Sequence, residues 1–200
     1  MFPLPAALQP VRVQATMAKI ISVANQKGGV AKTTTTVNLG AALAEARQRV
    51  LLIDLDPQAH LALSLGVNPD DLTASTFDVL TNPRFEIGAI TIPVGDGLTL
   101  APADINLSVA EQRLGGTIGR EQVLRDKLRA VQADYDYILI DCPPSLGVLT
   151  VNALTASESV IIPVQAHYLS MKGMQLLMET IELVREKLNP GLGILGILIT

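Results

Sequence analysis

A glycine-rich loop that carries two lysines is the feature of this sequence that most clearly indicates chemistry. The loop spans residues 25–36 and contains Lys27, Gly28, Gly29 and Lys32, followed by a run of threonines. It lies between an apolar run and a helical pattern, where backbone N–H groups can point at an anion and the dipole of the following helix adds to the attraction. The sequence therefore predicts a phosphate-binding loop.

Three aspartates follow apolar runs that are typical of buried strands. Asp54 and Asp56 come directly after residues 50–53, and Asp141 follows residues 137–140. Alternate positions on a strand point the same way, and open α/β sheets bind ligands at the carboxyl ends of their strands. We therefore expect these carboxylates to lie near the loop. The alternatives are that Asp54 and Asp56 are strand-end caps or solvated acids, and that the Gly-Gly turn is purely structural.

Strands and helices alternate along the chain. The predicted strands cover residues 19–24, 50–53, 89–94, 98–101, 137–140, 159–164 and 194–200. Helical patterns cover residues 33–46, 61–65, 70–80, 106–114, 120–133, 148–156 and 172–188. Short β-branched runs that are apolar on both faces are typical of central parallel strands. The predicted fold class is α/β, a doubly wound, mostly parallel sheet with helices on both faces.

Composition and charge limit the function classes. The 200 residues are 48% hydrophobic, 17% charged and 3% aromatic, which indicates one globular domain with an aliphatic core. The net charge of −4 gives no global basic signature, so any DNA binding must come from a local patch. Lys172, Arg185 and Lys187 lie around one predicted helix, where such cations are more often a solvated face.

Cysteine content and hydropathy bear on the compartment. A single cysteine, Cys142, excludes an intramolecular disulfide, and we interpret it as an inert buried residue. No apolar run reaches the ~18–20 residues that a membrane span needs, so we expect no membrane association and a cytoplasmic protein. Residues 1–17 lack the pattern of a signal peptide, and we interpret them as a disordered extension or a misassigned start.

The loop departs from the standard P-loop, G-x-x-x-x-G-K-[ST], because Gln26 and Ala31 occupy its two glycine positions. The segment 27–33 (Lys-Gly-Gly-Val-Ala-Lys-Thr) instead resembles the deviant Walker A motif of the ParA/MinD group of P-loop ATPases, in which the early lysine, here Lys27, is the signature. Members of that group often carry glycine where Ala31 stands. Because alanine permits a helical backbone, we expect the loop to be preserved.

Two further segments strengthen the resemblance. Residues 54–58 (Asp-Leu-Asp-Pro-Gln) resemble the second motif of the group, and residues 140–145 (Ile-Asp-Cys-Pro-Pro-Ser) resemble its Walker B segment. Their forms look more like the ParA-type partition ATPases than the MinD type, and one cysteine excludes a nitrogenase iron protein. The resemblance covers residues 18–200, which we interpret as one ATPase domain without the C-terminal segment that members of the group usually carry.

The resemblance implies ATP and Mg²⁺ as cofactors. The residues that would bind the nucleotide are Lys27, Gly28, Gly29, Val30, Ala31, Lys32, Thr33 and Thr34. Lys32 would reach the β- and γ-phosphates, and the Thr33 hydroxyl would take a position on the metal. Asp141 would hold the metal through water, with Asp54 as support.

The resemblance also implies how hydrolysis works. Asp56 would orient or activate the attacking water, and Lys32 would stabilise the phosphates. Lys27 would reach across a homodimer to the nucleotide of the partner subunit, in the manner of an arginine finger.

The function implied is an ATP-dependent, dimerising DNA-segregation ATPase for chromosome or plasmid partition. It would hydrolyse ATP slowly, act with a ParB-type protein on non-specific DNA, and associate with the nucleoid. Two alternatives stay open, namely a metabolic ATP-dependent ligase of the dethiobiotin synthetase type and a nucleotide-binding remnant without activity.

Overall fold

The computed structural model describes residues 17–166 and 170–200. The predicted N-terminal extension, apart from Met17, lies outside the described residues.

Seven strands form a single, mostly parallel sheet, which confirms the predicted fold class. In spatial order the strands run β3-β4-β2-β5-β1-β6-β7, and only the edge pair β3 and β4 is antiparallel. The strands are β1 (Lys19–Val23), β2 (Val50–Asp54), β3 (Ile92–Gly95), β4 (Leu98–Ala101), β5 (Tyr137–Asp141), β6 (Ser159–Val164) and β7 (Gly193–Ile199).

Seven α-helices in the described part of the chain connect the strands. They are α1 (Lys32–Glu45), α2 (His60–Ser64), α3 (Thr76–Thr81), α4 (Ala110–Leu114), α5 (Val123–Leu128), α6 (Val148–Ala156) and α7 (Ser170–Lys187). Short 3₁₀ turns occupy Pro69–Asp71, Ile87–Ile90 and Ile105–Val109. None of these helices is both long and apolar enough to cross a bilayer.

Four of the predicted segments were wrong in extent. The helix predicted over residues 70–80 is a 3₁₀ turn followed by α3, because Ser75 starts a new helix: its hydroxyl accepts from the Phe77 N–H while Asp78 accepts from the Ser75 N–H. The first parts of the predicted strand 89–94 and of the predicted helix 106–114 are 3₁₀ turns.

The helix predicted over residues 120–133 was also wrong in extent. It contains regular α-helix only over α5, and residues 129–134 form turns. The buried Asn152 of α6 accepts a hydrogen bond from the Leu124 N–H at 3.1 Å and donates to the Arg120 carbonyl at 2.7 Å. A residue on another helix therefore determines where α5 begins, and a local pattern does not contain that information.

The phosphate loop lies at the centre of the sheet. The crossover through α1 runs from β1 past β5 to β2, whereas those through α6 and α7 run in the opposite direction to β6 and β7. Right-handed crossovers in opposite directions place helices on opposite faces, and such a reversal marks the ligand site of open α/β sheets. Gly40 lets α1 approach β2 closely, since a Cβ there would lie 2.7 Å from Leu52 Cδ2.

Candidate functional site

A cavity of ≈ 720 Å³ opens at the carboxyl ends of the central strands. The loop after β1 and the segment after β2 both contribute to its walls. Its lining residues are Gly28, Gly29, Ala31, Lys32, Thr33, Thr34, Asp56, Gln58, His60, Leu63, Ser64 and Pro144. Loop amides and an acid thus line one space, as the sequence predicts.

The loop enters α1 through a left-handed residue. Ala31 has φ 64° and ψ 32°, and Gly29 has φ 70°. The expectation that alanine would take an ordinary helical backbone at position 31 was wrong, because the chain reverses there before the helix begins. No side chain caps the first turn of α1 and no acid lies in it. The positive end of the helix dipole is therefore left for an external anion.

Lys32 is the buried cation of the site. Its side chain belongs to the first turn of α1, and its Nζ donates to the Lys27 carbonyl at 3.2 Å. Burial lowers the pKa of Lys32, while the negative charge of Asp141 opposes this change. An ammonium that is held against a backbone carbonyl can exchange that acceptor for a stronger one, such as a phosphate oxygen.

Asp141 joins β5 to the start of α1. The Thr33 hydroxyl donates to Asp141 Oδ2 at 2.6 Å, whereas Asp141 Oδ1 is buried without a hydrogen-bond partner among the described residues. Burial raises the pKa of Asp141 to about 7, against the lowering effects of the Thr33 hydrogen bond and the Lys32 charge. An orphaned buried oxygen indicates a missing water or cation.

Asp54 and Asp56 lie at different depths in the site. Asp54 lies beside Asp141 in the register of β2 and β5 and is completely buried. Its Oδ1 accepts from the Asp56 N–H at 3.0 Å, and its Oδ2 has no partner in the described part of the chain. Burial, followed by the nearby charge of Asp141, raises the pKa of Asp54 well above its ordinary range. Asp56 lines the cavity, and its Oδ1 accepts from the Gln58 N–H at 3.0 Å.

The oxygen donors near Asp141 fit a hard cation. Within residues 17–166 and 170–200, no group of three or more His, Cys, Asp and Glu side chains is placed to hold a metal. Mg²⁺ does not need such a cage, because it keeps several waters and is bound through one or two protein oxygens plus phosphates. The Thr33 hydroxyl and the unpaired oxygen of Asp141 supply that kind of donor set.

Several predicted residues lie behind the cavity wall. The side chain of Val30 is in the core, Asp54 and Asp141 lie beneath the lining, and Lys27 points to β6. The predicted roles of Asp54 and Asp141 toward a metal stay predictions. Cys142 is fully buried, and burial raises the pKa of its thiol, which confirms its interpretation as a buried, inert residue.

Sequence reasoning missed four polar residues around the loop. Gln58 and His60 line the cavity, whereas Asn25 and Gln165 hold the loop from the opposite side. Gln58 belongs to the Asp-Leu-Asp-Pro-Gln segment and could have been found by including its last position. His60 belongs to no metal-ligand or nucleophile pattern that would mark it in the sequence. No local signal marks Asn25 or Gln165.

Comparison with known proteins places this arrangement among related chains. A family model described as an AAA domain matches residues 18–194. The sporulation initiation inhibitor protein Soj of Bacillus subtilis is 50% identical over 184 residues, which cover 92% of this chain and 73% of Soj. The chromosome partitioning protein ParA of Myxococcus xanthus is 48% identical over 187 residues, which cover 93% of this chain and 66% of ParA.

A solved structure from Mycobacterium smegmatis has the same architecture. It is described as cobyrinic acid a,c-diamide synthase with bound ADP and magnesium, and it superposes with a TM-score of 0.88 at 48% identity. The match covers 92% of this chain and 74% of that one. About a quarter to a third of each of these relatives therefore lies outside the match.

Proposed function

Because this chain belongs to the AAA-domain family of ParA and Soj, we propose that it is a DNA-segregation ATPase. It binds ATP with Mg²⁺, dimerises in the ATP state and hydrolyses ATP slowly. A ParB-type protein and non-specific DNA stimulate hydrolysis. The protein acts in the cytoplasm, at the nucleoid, on a chromosome or a plasmid.

The observation that carries this proposal is the shared cavity of the loop and Asp56. Gly28, Gly29 and residues 31–34 line this space of ≈ 720 Å³ together with Asp56. Nucleotide-sized ligands occupy clefts of about 300–1,000 Å³. Phosphates on the loop would therefore have a carboxylate near their exposed side.

Each side chain of the cavity has a role that follows from its position. Lys32 exchanges its contact with the Lys27 carbonyl for β- and γ-phosphate oxygens. Asp56 accepts a hydrogen bond from the attacking water and orients it. Asp54 holds the backbone of Asp56 through the 3.0 Å bond to its N–H, so it positions the carboxylate that acts.

The Thr33 hydroxyl and Asp141 would hold Mg²⁺, Asp141 through a water. Bound Mg²⁺ offsets the phosphate charge during transfer. The ion would also compensate Asp141, whose ionised form burial disfavours.

Lys27 serves the partner subunit in this proposal. Its Nζ donates to Gln165 Oε1 at 3.1 Å, and Lys27 is not among the described residues that line the cavity of its own subunit. A cation that does not reach its own nucleotide is available to another one. Catalysis would then require the dimer.

DNA binding and the ParB-type partner rest on the resemblance to the ParA-type partition ATPases alone. On α7, Arg185 donates to the Leu192 carbonyl and pairs with Glu182, and Lys187 pairs with Glu186. These two paired cations fit a solvated face, whereas the side chain of Lys172, the third cation of that interpretation, lies outside the described part of the chain.

Two measurements test the proposal. Light scattering with ATP, with ADP and without nucleotide gives the oligomeric state, and phosphate release gives the rate of hydrolysis. We expect a dimer with ATP only. Asp56→Ala should keep the ATP dimer while phosphate release falls by about 10²-fold or more, as expected when a positioned acid–base group is lost. Asp96→Ala, which removes an exposed acid from the turn between β3 and β4, is the matched control and should behave as the wild type.

Three outcomes would contradict the proposal at different levels. Normal hydrolysis by Asp56→Ala would remove the role of Asp56. Hydrolysis that is unchanged by DNA and a ParB-type partner together would remove the segregation function. A protein that binds ATP but does not hydrolyse it, with or without DNA and a ParB-type partner, would be a nucleotide-binding remnant.

A second candidate is an ATP-dependent ligase. The description of the 48% identical structure as cobyrinic acid a,c-diamide synthase favours it. An ATP-dependent amide ligase transfers the γ-phosphate of ATP to a carboxylate and releases ADP. An amine then displaces the phosphate, so that the products are the amide, inorganic phosphate and a proton. Among the described residues that line the cavity, Lys32 is the one lysine or arginine, so a separate cation for a substrate carboxylate is not among them. ADP formation that depends on cobyrinic acid and an amine donor, without DNA, would favour the ligase.

A further inference from the structure

The side chain of Gln165 connects the end of β6 to two residues in the first half of the phosphate loop. Its Nε2 donates to the Gly29 carbonyl at 2.8 Å, and its Oε1 accepts from Lys27 Nζ at 3.1 Å. A third bond lies beside these, since Asn25 Nδ2 donates to the Pro163 carbonyl at 2.7 Å. The loop is thus attached to β6 by side chains of neutral amides.

The chemistry of position 165 matches its two partners. A lysine ammonium only donates and a backbone carbonyl only accepts, so one bridging side chain must accept at one atom and donate at another. A primary amide does both, and these two partners fix which end of the amide is oxygen. A carboxylate could serve Lys27 but not Gly29.

The contact also fixes where the Lys27 ammonium lies. Gly28 and Lys32 line the cavity, whereas Lys27, also a described residue, does not, and its Nζ is directed at β6. The Lys27 backbone carbonyl meanwhile accepts from Lys32 Nζ at 3.2 Å. The two lysines of the loop are therefore both held by groups of their own subunit.

We propose that Gln165 is a positioning residue that restrains Lys27 within its own subunit until the ATP dimer forms. The restraint competes with the contact between Lys27 and the nucleotide of a second copy of this chain. Dimer formation therefore includes the loss of the bond between Lys27 and Gln165. The role of Lys27 across the dimer rests on the proposed function, whereas the restraint itself can be measured without it.

The first test measures the restraint in the nucleotide-free protein. Lysines are acylated with an N-hydroxysuccinimide ester, and the rate at Lys27 is followed by mass spectrometry with Lys187 as internal reference. Gln165→Leu should raise the Lys27 rate about three- to tenfold, which is the effect expected for losing one typical hydrogen bond at a partly exposed position. Gln165→Glu keeps the acceptor and should leave the rate at or below that of the wild type. Gln175→Leu, on the exposed side of α7, should change nothing at Lys27.

The second test measures the competition. Both Gln165→Leu and Gln165→Glu lack the donor to the Gly29 carbonyl, so a difference between them isolates the contact with Lys27. In light scattering with ATP and Mg²⁺, Gln165→Leu should reach half dimer at a protein concentration about three- to tenfold below that of Gln165→Glu.

The results separate this inference from the proposed function. Equal Lys27 rates in Gln165→Leu and the wild type, or dimer midpoints that are equal or in reverse order, would overturn the restraint. A wild type that stays monomeric with ATP would overturn the proposed function, while the acylation rates would still decide whether Gln165 restrains Lys27.

Discussion

The phosphate loop has two flanks that are built from different chemistry. On one side lies the acid flank, formed by Asp54, Asp56 and Asp141 at the carboxyl ends of β2 and β5. On the other side lies the amide flank, formed by Asn25, which is the first residue of the loop, and Gln165, which follows β6. Both flanks lie at the carboxyl ends of strands in one sheet, and both contact the loop or the start of α1.

The two flanks differ in how well their polar groups are satisfied. Two buried carboxylate oxygens of the acid flank, Asp54 Oδ2 and Asp141 Oδ1, have no hydrogen-bond partner among the described residues. Both ends of the Asn25 and Gln165 amides are paired. Buried charge without a partner opposes folding, whereas paired amides stabilise it. The acid flank is therefore suited to bind a cation, and the amide flank holds the loop in place.

The largest expected effect comes from the lysine between the flanks. Lys32→Ala should weaken ATP binding about 10³-fold, since two hydrogen bonds from a charged group are each worth about 1.5–3 kcal/mol. Titration with a fluorescent ATP analogue measures this change. Lys187→Ala, on the exposed end of α7, is the control and should bind as the wild type. Tight ATP binding by Lys32→Ala would show that the loop amides suffice.

Asp141→Asn should stabilise the nucleotide-free protein at pH 8. Burial raises the pKa of Asp141 from its ordinary 3.8 to about 7. Between about pH 4 and pH 7 the folded protein holds a proton that the unfolded chain has lost, so the free energy of unfolding of the wild type falls as pH rises through this window and is level above it. The amide of the variant carries no charge at any of these pH values. At about 1.36 kcal/mol per pH unit the gain has a ceiling of about 4 kcal/mol, and we expect about 2–3 kcal/mol because water reaches the adjoining cavity.

Urea unfolding at pH 4.5, 6 and 8 measures this gain, which should be small at the lowest pH and largest at the highest. Asp136→Asn is the matched control, because Arg49 lowers the pKa of that partly exposed carboxyl through a hydrogen bond and an ion pair. That substitution should not stabilise the protein. A gain from Asp141→Asn that is equal at all three pH values would contradict the assignment of the effect to ionisation.

A substitution on the amide flank should lower the free energy of unfolding, whereas Asp141→Asn on the acid flank should raise it. Asn25→Ala leaves the Pro163 carbonyl and the Lys27 N–H without their partners at a 2%-exposed position. Leaving such groups unpaired should lower the free energy of unfolding by about 1–2 kcal/mol. Asn38→Ala removes a similar bond, to the Thr34 carbonyl, on an exposed surface of α1 and should be nearly neutral. Equal effects of the two substitutions in urea unfolding would show that the buried amide of Asn25 stabilises the protein no more than the exposed amide of Asn38 does.

The acid flank could be predicted from the sequence because each of its members is local to a strand end. Runs such as residues 50–53 and 137–140 are apolar on both faces, which fixes them as central strands and places the following acids at the ligand edge. The positions of Lys32 and Thr33 follow from the loop motif in the same way.

The amide flank could not be predicted, because its contacts join distant parts of the chain. Lys27 and Gln165 are 138 residues apart, and nothing in the composition near Gln165 indicates a bridging amide. The start of α5, set by Asn152 of α6, was missed for the same reason. The burial of Asp54 beneath Asp56 also depends on the register in which β2 pairs with β5, and the sequence does not show that register.

The smallest expected effect concerns the loop itself. Ala31 has a φ of 64°, which costs alanine about 1 kcal/mol relative to glycine. Glycine also makes the unfolded chain more flexible, so Ala31→Gly should raise the free energy of unfolding by only about 0.5 kcal/mol. Ala42→Gly, at an exposed interior position of α1, should lower it by about 0.5–1 kcal/mol. Because the strain at Ala31 is in the backbone, the gain should be the same in the Asn25→Ala and Asp141→Asn proteins. A gain that disappears in either one would mean that the flank, and not the backbone of the loop, sets the conformation of Ala31.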